Sequence, residues 1–140
     1  MLVFNVVWVF NPNCGKVLMC FRHKQPYLGL YNLVGGKVEA GENGLDSAYR
    51  ELAEETGIQR ADITLRHLMD FTYHLSDVRV EAYFGRLERE VVPSGDEKTL
   101  TWIDVNENLF DDSRFAGEGN IGHIYEQIKL NLSRNRGKLS

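Results

Sequence analysis

The sequence has few cysteines, and this scarcity excludes a scaffold held together by disulfides. Its 140 residues include only Cys14 and Cys20, and these do not form a C-x-x-C pair. Small secreted domains that depend on disulfides carry more cysteines, and thiolate zinc sites need paired ones. Cys20 lies in an apolar run, which predicts a small buried residue, whereas Cys14 lies in a turn.

Long apolar runs and spaced histidines are also missing. No stretch of about 18 apolar residues is present to span a bilayer. The apolar start, residues 1–10, has no basic region and is followed at once by a turn, so it predicts a strand rather than a signal peptide. We therefore expect a cytoplasmic protein with no membrane partner. The four histidines show no H-x-x-x-H spacing, so we assign them no metal.

The surplus charge is small and lies in one short segment. The chain has 16 basic and 20 acidic side chains, for a net charge of −4. An acidic balance argues against a nucleic-acid polymer as partner, because such proteins usually present a basic face. Residues 39–55 hold six acids and one base, Arg50, and so contain nearly all of the surplus. This segment is the first place to look for chemistry.

The hydrophobic pattern predicts one α/β domain over residues 1–133 and a frayed basic tail over 134–140. Strands are predicted over residues 3–10, 16–21, 33–38, 65–74, 78–87 and 99–105, with a loop over 22–32. Helices are predicted over residues 44–56, ended by Gly57, and over 121–132. Because hairpins are mixed with helices, we expect a mixed sheet packed against helices on its faces.

Three glutamates share one face of the first predicted helix. Glu51, Glu54 and Glu55 stand at i, i+3 and i+4, so their side chains project together, and no lysine lies four residues away. One interpretation is a solvated acidic face. The other is a site for a hard divalent cation such as Mg²⁺, which binds carboxylate and water oxygens.

A glycine-rich segment precedes this helix and completes a longer pattern. Residues 35–42 begin with a glycine pair, which permits close backbone approach to a ligand. Together the two segments form G-x5-E-x7-R-E-U-x-E-E-x-G-U, where U is apolar. The specified positions are Gly36, Glu42, Arg50, Glu51, Leu52, Glu54, Glu55, Gly57 and Ile58. This resembles the Nudix box of the MutT-like pyrophosphohydrolases at every specified position.

The resemblance implies a fold, a reaction and a set of roles. The fold is an α/β/α sandwich around a mixed sheet, and the reaction is hydrolysis of a nucleoside diphosphate linked to another group. Mg²⁺ is the expected cofactor, with Mn²⁺ possible. The implied metal ligands are the Gly35 carbonyl, Glu51, Glu54, Glu55 and, outside the box, Glu97, with Asp96 next. Glu51 is ligand or general base, Glu97 is the other candidate for the general base, and Arg50 and Glu42 orient the carboxylates. For Glu97 and Asp96 an exposed polar loop is the alternative.

Residues outside the box resemble the oxidised-purine nucleoside triphosphatases. Residues 31–38 are similar to the Trp-Asn-x-Phe-Gly-Gly-Lys-Val pattern of that subgroup, with Tyr31 and Val34 as departures. Asn32 stands where the subgroup has a base-reading asparagine. Residues 109–113 resemble its aromatic-Pro-Asp-Asp-Ser segment without the proline. The substrate contacts implied are Asn32, Gly36, Lys37, Arg22, Lys24, Phe110, Asp111 and Asp112. The alternatives are a helix cap or a turn for the two aspartates and solvated surface cations for Arg22 and Lys24.

The leading hypothesis is a metal-dependent hydrolase of an (oxidised) purine nucleoside triphosphate such as 8-oxo-dGTP. It would release the monophosphate and pyrophosphate, and it would act as a monomer or homodimer. An ADP-ribose, dinucleoside polyphosphate or nucleotide sugar substrate is the nearest alternative. A non-catalytic nucleotide-binding module is the alternative from another class.

Overall fold

The computed structural model describes residues 1–94 and 99–135. Its strands are β1 Leu2–Phe10, β2 Lys16–Phe21, β3 Tyr31–Leu33, β4 Arg66–Tyr73, β5 Val78–Arg86 and β6 Thr99–Asp104. Its helices are α1 Gly44–Thr56 and α2 Asn120–Arg134, with a short 3₁₀ helix at Arg60–Asp62. Within these described ranges, neither helix is both long and apolar enough to cross a membrane.

The six strands form one mixed sheet with β1 inside it. β1 pairs in parallel with β5 over its whole length, from Leu2 opposite Val78 to Phe10 opposite Arg86. It pairs antiparallel with β2 only where Phe10 meets Val17. β2 also pairs with β3 and β6, and β5 pairs with β4, all antiparallel. The predicted mixed sheet is confirmed.

Each face of the sheet is covered by one helix. Because side chains alternate along β1, this strand contributes residues to the core on both faces. Val7 and Val9 are buried in one core with Ala48 and Leu52 of α1. The core on the opposite face contains Trp8 and Phe10 of β1 with Ile121, Ile124 and Ile128 of α2. The predicted α/β/α arrangement is therefore confirmed.

The bounds of α1 are those that the sequence predicts. The Asn43 side chain accepts a hydrogen bond from Asp46 N at 2.8 Å and so caps the first turn. Gly57, at φ 77°, ends the helix and donates to the Ala53 carbonyl. Apolar residues at Leu45, Ala48, Tyr49 and Leu52 predict the buried stripe of α1, and this is wrong at one position: Leu45 is exposed, while Ser47 beside Ala48 is buried.

The predicted strand over 33–38 is wrong in most of its length. β3 begins at Tyr31, inside the predicted loop, and ends at Leu33. Val34 and Lys37 instead make isolated antiparallel bridges to β1. The cause is Gly35, whose φ of 151° interrupts the extended chain. The segment from residue 34 to 38 therefore lies beside the first half of β1, which brings the glycine pair against α1.

The second helix is longer than predicted at its C-terminal end. α2 extends to Arg134, and the Asn135 N–H donates to the Asn131 carbonyl at 3.1 Å. The first residue of the predicted tail is therefore helical. The rest of that tail, from residue 136, lies outside the described residues.

Candidate functional site

Arg50 is at the centre of the acidic site. Its Nε donates to Glu42 Oε2 at 2.7 Å and its Nη2 to Glu42 Oε1 at 3.0 Å, which makes a bidentate pair. Its Nη1 donates to Glu51 Oε1 at 3.0 Å and Glu54 Oε2 at 3.2 Å. Nη2 also donates to the Lys37 carbonyl at 3.2 Å. One guanidinium thus joins the glycine-rich segment to α1.

This arginine also changes the charge of the glutamate face. No lysine lies four residues from any of the three glutamates, but Arg50 lies four residues before Glu54 and pairs with it. Hydrogen bonds from Arg50 lower the pKa of Glu42 to about 2, and the same contacts raise the pKa of Arg50. Both groups are therefore ionised at neutral pH. A single cation still leaves residues 39–55 negative, so a further cation is favoured there.

Gly36 forms a cradle for the Glu51 carboxylate. A Cβ atom at Gly36 would lie 2.4 Å from Glu51 Oε2, so the carboxylate packs there only against a glycine. The Glu51 side chain is 14% exposed and is held between Gly36 and Arg50. The neighbouring Gly35 N–H donates to Glu55 Oε2 at 3.4 Å. The glycine pair therefore positions two of the three glutamates.

The chemistry of these side chains fits a hard divalent cation. Arg50 uses one oxygen of Glu51 and one of Glu54, so each carboxylate has a second oxygen to offer. Glu54 is 61% exposed, and little packing restrains it. Across residues 1–94 and 99–135, no three acidic, histidine or cysteine side chains converge into a ready cluster. The predicted ligand Glu97, and Asp96 beside it, lie outside the described residues.

We expect an alanine at Gly36 to lower the rate and an alanine at Gly35 to lower the stability. Gly36→Ala meets only the flexible end of Glu51, so the protein should fold, with a stability change under about 1 kcal/mol. Its kcat should fall about 10–100-fold, because the Glu51 carboxylate must move. Gly35→Ala would place a Cβ 2.1 Å from the Asn5 carbonyl oxygen at a φ of 151°, so it should cost about 1–3 kcal/mol or more.

Thermal unfolding and initial-rate kinetics on both variants test this contrast. Gly29→Ala is the control, since it also has a positive φ but a Cβ there would meet no atom within 4 Å. If Gly36→Ala keeps full turnover, the cradle has no role in holding Glu51.

Asn32 lines a cavity of about 150 Å³ between the sheet and α2. The walls are mostly apolar, and the polar groups that join Asn32 are Tyr27, Tyr73 and Asn120. Asn120 donates to the Tyr73 hydroxyl, and Asn32 Oδ1 accepts from Leu33 N at 2.9 Å. Tyr27 donates to Glu118 Oε2 at 3.0 Å, and burial raises the pKa of Tyr27 to about 12. The cavity thus combines apolar walls with a few oriented polar groups.

The sequence did not identify three polar residues of this cavity, Tyr27, Tyr73 and Asn120. Tyr73 lies on β4 and Asn120 on α2, and the two meet because α2 packs on the face of the sheet that includes β4. No spacing within the chain connects residues 47 positions apart, so only the tertiary structure could have found them.

The structure does not bring the other predicted base contacts to this cavity. Phe110 is exposed, packs on Gly122 and lines a different cavity of about 390 Å³ on another side of α2. Asp111 accepts hydrogen bonds from Ser113 N at 3.0 Å and Ser113 Oγ at 2.6 Å, which lower its pKa. Asp111 thus makes the turn that was its alternative role, and Asp112 beside it is exposed.

The predicted phosphate contacts lie in two places. Lys37 is exposed beside the glutamate site, and its carbonyl accepts from Arg50. Arg22 and Lys24 lie after β2, in the loop that leads to β3, where Arg22 Nε donates to the Pro26 carbonyl at 2.6 Å. Of these three cations, the structure places only Lys37 next to the glutamates, in the wall of a cavity that Glu39 and Glu42 also line.

Comparison with known proteins gives a family match. A family model described as the NUDIX domain matches residues 1–123. The match covers most of the chain and includes the glycine pair, α1 and the start of α2.

Solved structures of three kinds are similar to this chain. A MutT from work on Aliivibrio salmonicida and Vibrio cholerae has a TM-score of 0.72 at 21% identity, covering 92% of this chain and 98% of that one. A Caenorhabditis elegans Ap4A hydrolase has 0.75 at 16%, covering 95% and 98%. The NUDIX domain of Shewanella oneidensis NrtR, complexed with ADP ribose, has 0.71 at 19%, covering 94% and 88%. At these identities the similarity shows the shared fold alone.

Proposed function

We propose, from the premise that this chain belongs to the NUDIX domain family, that it hydrolyses a phosphoric anhydride bond in a nucleoside diphosphate derivative. The observation that carries the proposal is the arrangement around Arg50. One guanidinium orients Glu42, Glu51 and Glu54 while Gly36 receives the Glu51 carboxylate. Such an array of oriented carboxylates is what a metal-assisted hydrolysis requires from its protein.

The carboxylates of α1 would hold a divalent cation, Mg²⁺ with Mn²⁺ as alternative, through Glu51, Glu54, Glu55 and the Gly35 carbonyl. When bound, such an ion supplies charge neutralisation and polarisation at a phosphate oxygen. Arg50 is fully used by carboxylates and by the Lys37 carbonyl, so its role is to orient the glutamates rather than to touch the substrate. Glu51 then acts as ligand or as the base that takes a proton from water.

For the substrate we propose an (oxidised) purine nucleoside triphosphate whose base enters the cavity lined by Asn32. The cavity, at about 150 Å³, is smaller than the 300 Å³ or more typical of sites for whole ligands, so it suits a base rather than a whole nucleotide. Asn32 offers both a donor and an acceptor, which suits a purine edge. Gly35 and Gly36 follow Asn32 by three and four residues, whereas the cavity lies on the α2 face of the sheet and the glutamates on α1, so the phosphates of a base bound at Asn32 would reach the glutamates around the end of β3.

A substrate panel with pyrophosphate readout tests this proposal. We expect 8-oxo-dGTP and dGTP to give the monophosphate and pyrophosphate, with higher kcat/KM than ADP-ribose, a dinucleoside tetraphosphate or a nucleotide sugar. Preference for one of the last three would overturn the substrate class and keep the reaction. Binding of nucleotide with Mg²⁺ but no product from any compound would overturn the reaction itself and indicate a binding module.

Two alanine variants decide which cavity receives the base. Asn32→Ala should lower kcat/KM for the triphosphate about tenfold, because a base-reading hydrogen bond is lost. Phe110→Ala is the matched comparison, since Phe110 lines a cavity on another side of α2 and should change kcat/KM less than twofold. The reverse order of effects would move the base to the cavity of Phe110.

A further inference from the structure

Asn5 is a buried polar residue on the face of β1 that packs against α1. Val7 and Val9 follow it at alternate positions on that face and belong to the apolar core with α1. Asn5 is 2% exposed, and Ser47 of α1 is fully buried. A buried amide without partners costs about 1–3 kcal/mol, so its presence here needs compensating hydrogen bonds.

Those hydrogen bonds join Asn5 to both halves of the glutamate site. The Asn5 N–H donates to the Gly36 carbonyl at 2.8 Å, and Asn5 Oδ1 accepts from the Gly36 N–H at 3.1 Å. Asn5 Nδ2 donates to Ser47 Oγ at 3.0 Å. One residue of the sheet therefore holds the backbone of Gly36 on both sides and also reaches the catalytic helix.

The consequence of these contacts falls on Glu51. Ser47 lies one helical turn before Glu51 on α1, and Gly36 is the residue against which the Glu51 carboxylate packs. The separation between the glycine segment and the helix therefore depends on the Asn5 side chain, which contacts Gly36 and Ser47. A shift of about 1 Å between groups of a catalytic site can cost about 100-fold in rate.

We propose that Asn5 is a positioning residue, which sets the place of the Glu51 carboxylate by clamping Gly36 to Ser47. This inference rests on the proposed hydrolysis, in which Glu51 holds a divalent cation or acts as base. In the described part of the chain, the Asn5 side chain hydrogen-bonds Gly36 and Ser47 and none of the site glutamates, so its effect passes through Gly36 and through Ser47, whose side chain also interacts with Glu42. No other β1 side chain facing α1 combines a polar group with these two contacts among the described residues.

The test compares Asn5→Leu with Val9→Ala. Asn5→Leu keeps a side chain of similar size and removes both polar contacts. Val9→Ala is the matched control, since it weakens the same face of the same strand and takes part in neither side-chain hydrogen bond of Asn5. The readouts are kcat and KM, the affinity of the substrate-free protein for Mn²⁺ measured by electron paramagnetic resonance, and the amide exchange rate of Gly36 measured by NMR.

We expect Asn5→Leu to lower kcat about 10–100-fold and to weaken Mn²⁺ binding about tenfold, with KM changed less than threefold. Exchange of the Gly36 amide should become at least tenfold faster, because its acceptor is gone. Val9→Ala should lower the melting temperature yet leave kcat, Mn²⁺ affinity and Gly36 exchange within twofold. Equal changes in both variants would show that Asn5 acts only on stability and would overturn the inference.

Ser47→Ala keeps the test decisive if Asn5→Leu fails to fold. It removes the acceptor of Asn5 Nδ2 and should reduce kcat about 3–10-fold. If the wild-type protein turns over no substrate, the proposed function fails. Mn²⁺ affinity and Gly36 exchange then decide the role of Asn5 without reference to turnover.

Discussion

Glu54→Gln is expected to reduce kcat about 10²–10³-fold while leaving the fold unchanged. Glu54 is the most exposed of the three glutamates that accept a hydrogen bond from Arg50, so its substitution should change stability by less than about 0.5 kcal/mol. The loss in rate comes from the missing negative oxygen at the proposed cation site, an electrostatic contribution of the size usually found for one preorganised group. The Mg²⁺ concentration needed for half-maximal rate should rise as well.

Glu39→Gln is the control for this prediction. Glu39 is exposed in the same acidic segment, and its Oε1 lies 3.8 Å from Arg50 Nη2. Its substitution by glutamine removes the same charge as Glu54→Gln. Steady-state rates across a Mg²⁺ titration should separate the two variants by at least tenfold. If Glu54→Gln retains turnover with the wild-type dependence on Mg²⁺, Glu54 is not a ligand.

Arg50→Lys should lower both kcat and stability even though the charge is kept. Lysine is a point charge and cannot reproduce a planar group that serves Glu42, Glu51, Glu54 and the Lys37 carbonyl together. With Glu51 released on one side, kcat should fall about 10–100-fold. Arg60→Lys is the matched control, because Arg60 of the 3₁₀ helix makes an exposed ion pair with Asp46 of α1, and the change should alter kcat less than twofold.

The stability difference between the wild-type protein and Arg50→Lys should depend on pH. The pKa of Glu42 is lowered from 4.5 to about 2 by Arg50, so the pair stabilises the fold above pH 4.5 and this contribution is lost as the pH falls through about 2. Melting temperatures of the metal-free proteins should therefore differ most near neutral pH and converge between pH 4.5 and pH 2. A constant difference down to pH 2 would show that the pair does not control stability.

The elements with strong local signals were predictable from the sequence. α1 has a capping asparagine, a periodic apolar stripe and a terminal glycine, and its predicted bounds are those observed. The segment over 33–38 could not be assigned in the same way. The valines of this segment suit a strand. Its pairing with β1, however, depends on Gly35 and on the point where the pairing of β2 with β1 ends. Both features are set by the tertiary structure and leave no local pattern in the sequence.

The same division holds for the site. The spacing of the three glutamates is local to one helix, and the sequence identified them directly. Asn5 and Ser47 lie 42 positions apart and belong to no spacing pattern, so nothing in the sequence pairs them. Phe110 carries a subgroup resemblance, yet its ring packs where Gly122 leaves room on α2, away from Asn32. Local spacing thus predicts which acidic groups share one face of α1, whereas side-chain packing decides which residues hold them in place.

The parallel pairing of β1 with β5 has a consequence for the order of folding. Residues 2–10 find their full-length neighbour only at residues 78–86, so β1 cannot be fixed in the sheet until that distant strand is present. Closing so long a loop costs entropy before any contact repays it, which slows folding. Asn5 lies on β1, and the clamp on Gly36 therefore forms late. A chain emerging during synthesis should complete helix α1 well before the glutamates of that helix reach the positions that they have in the folded structure.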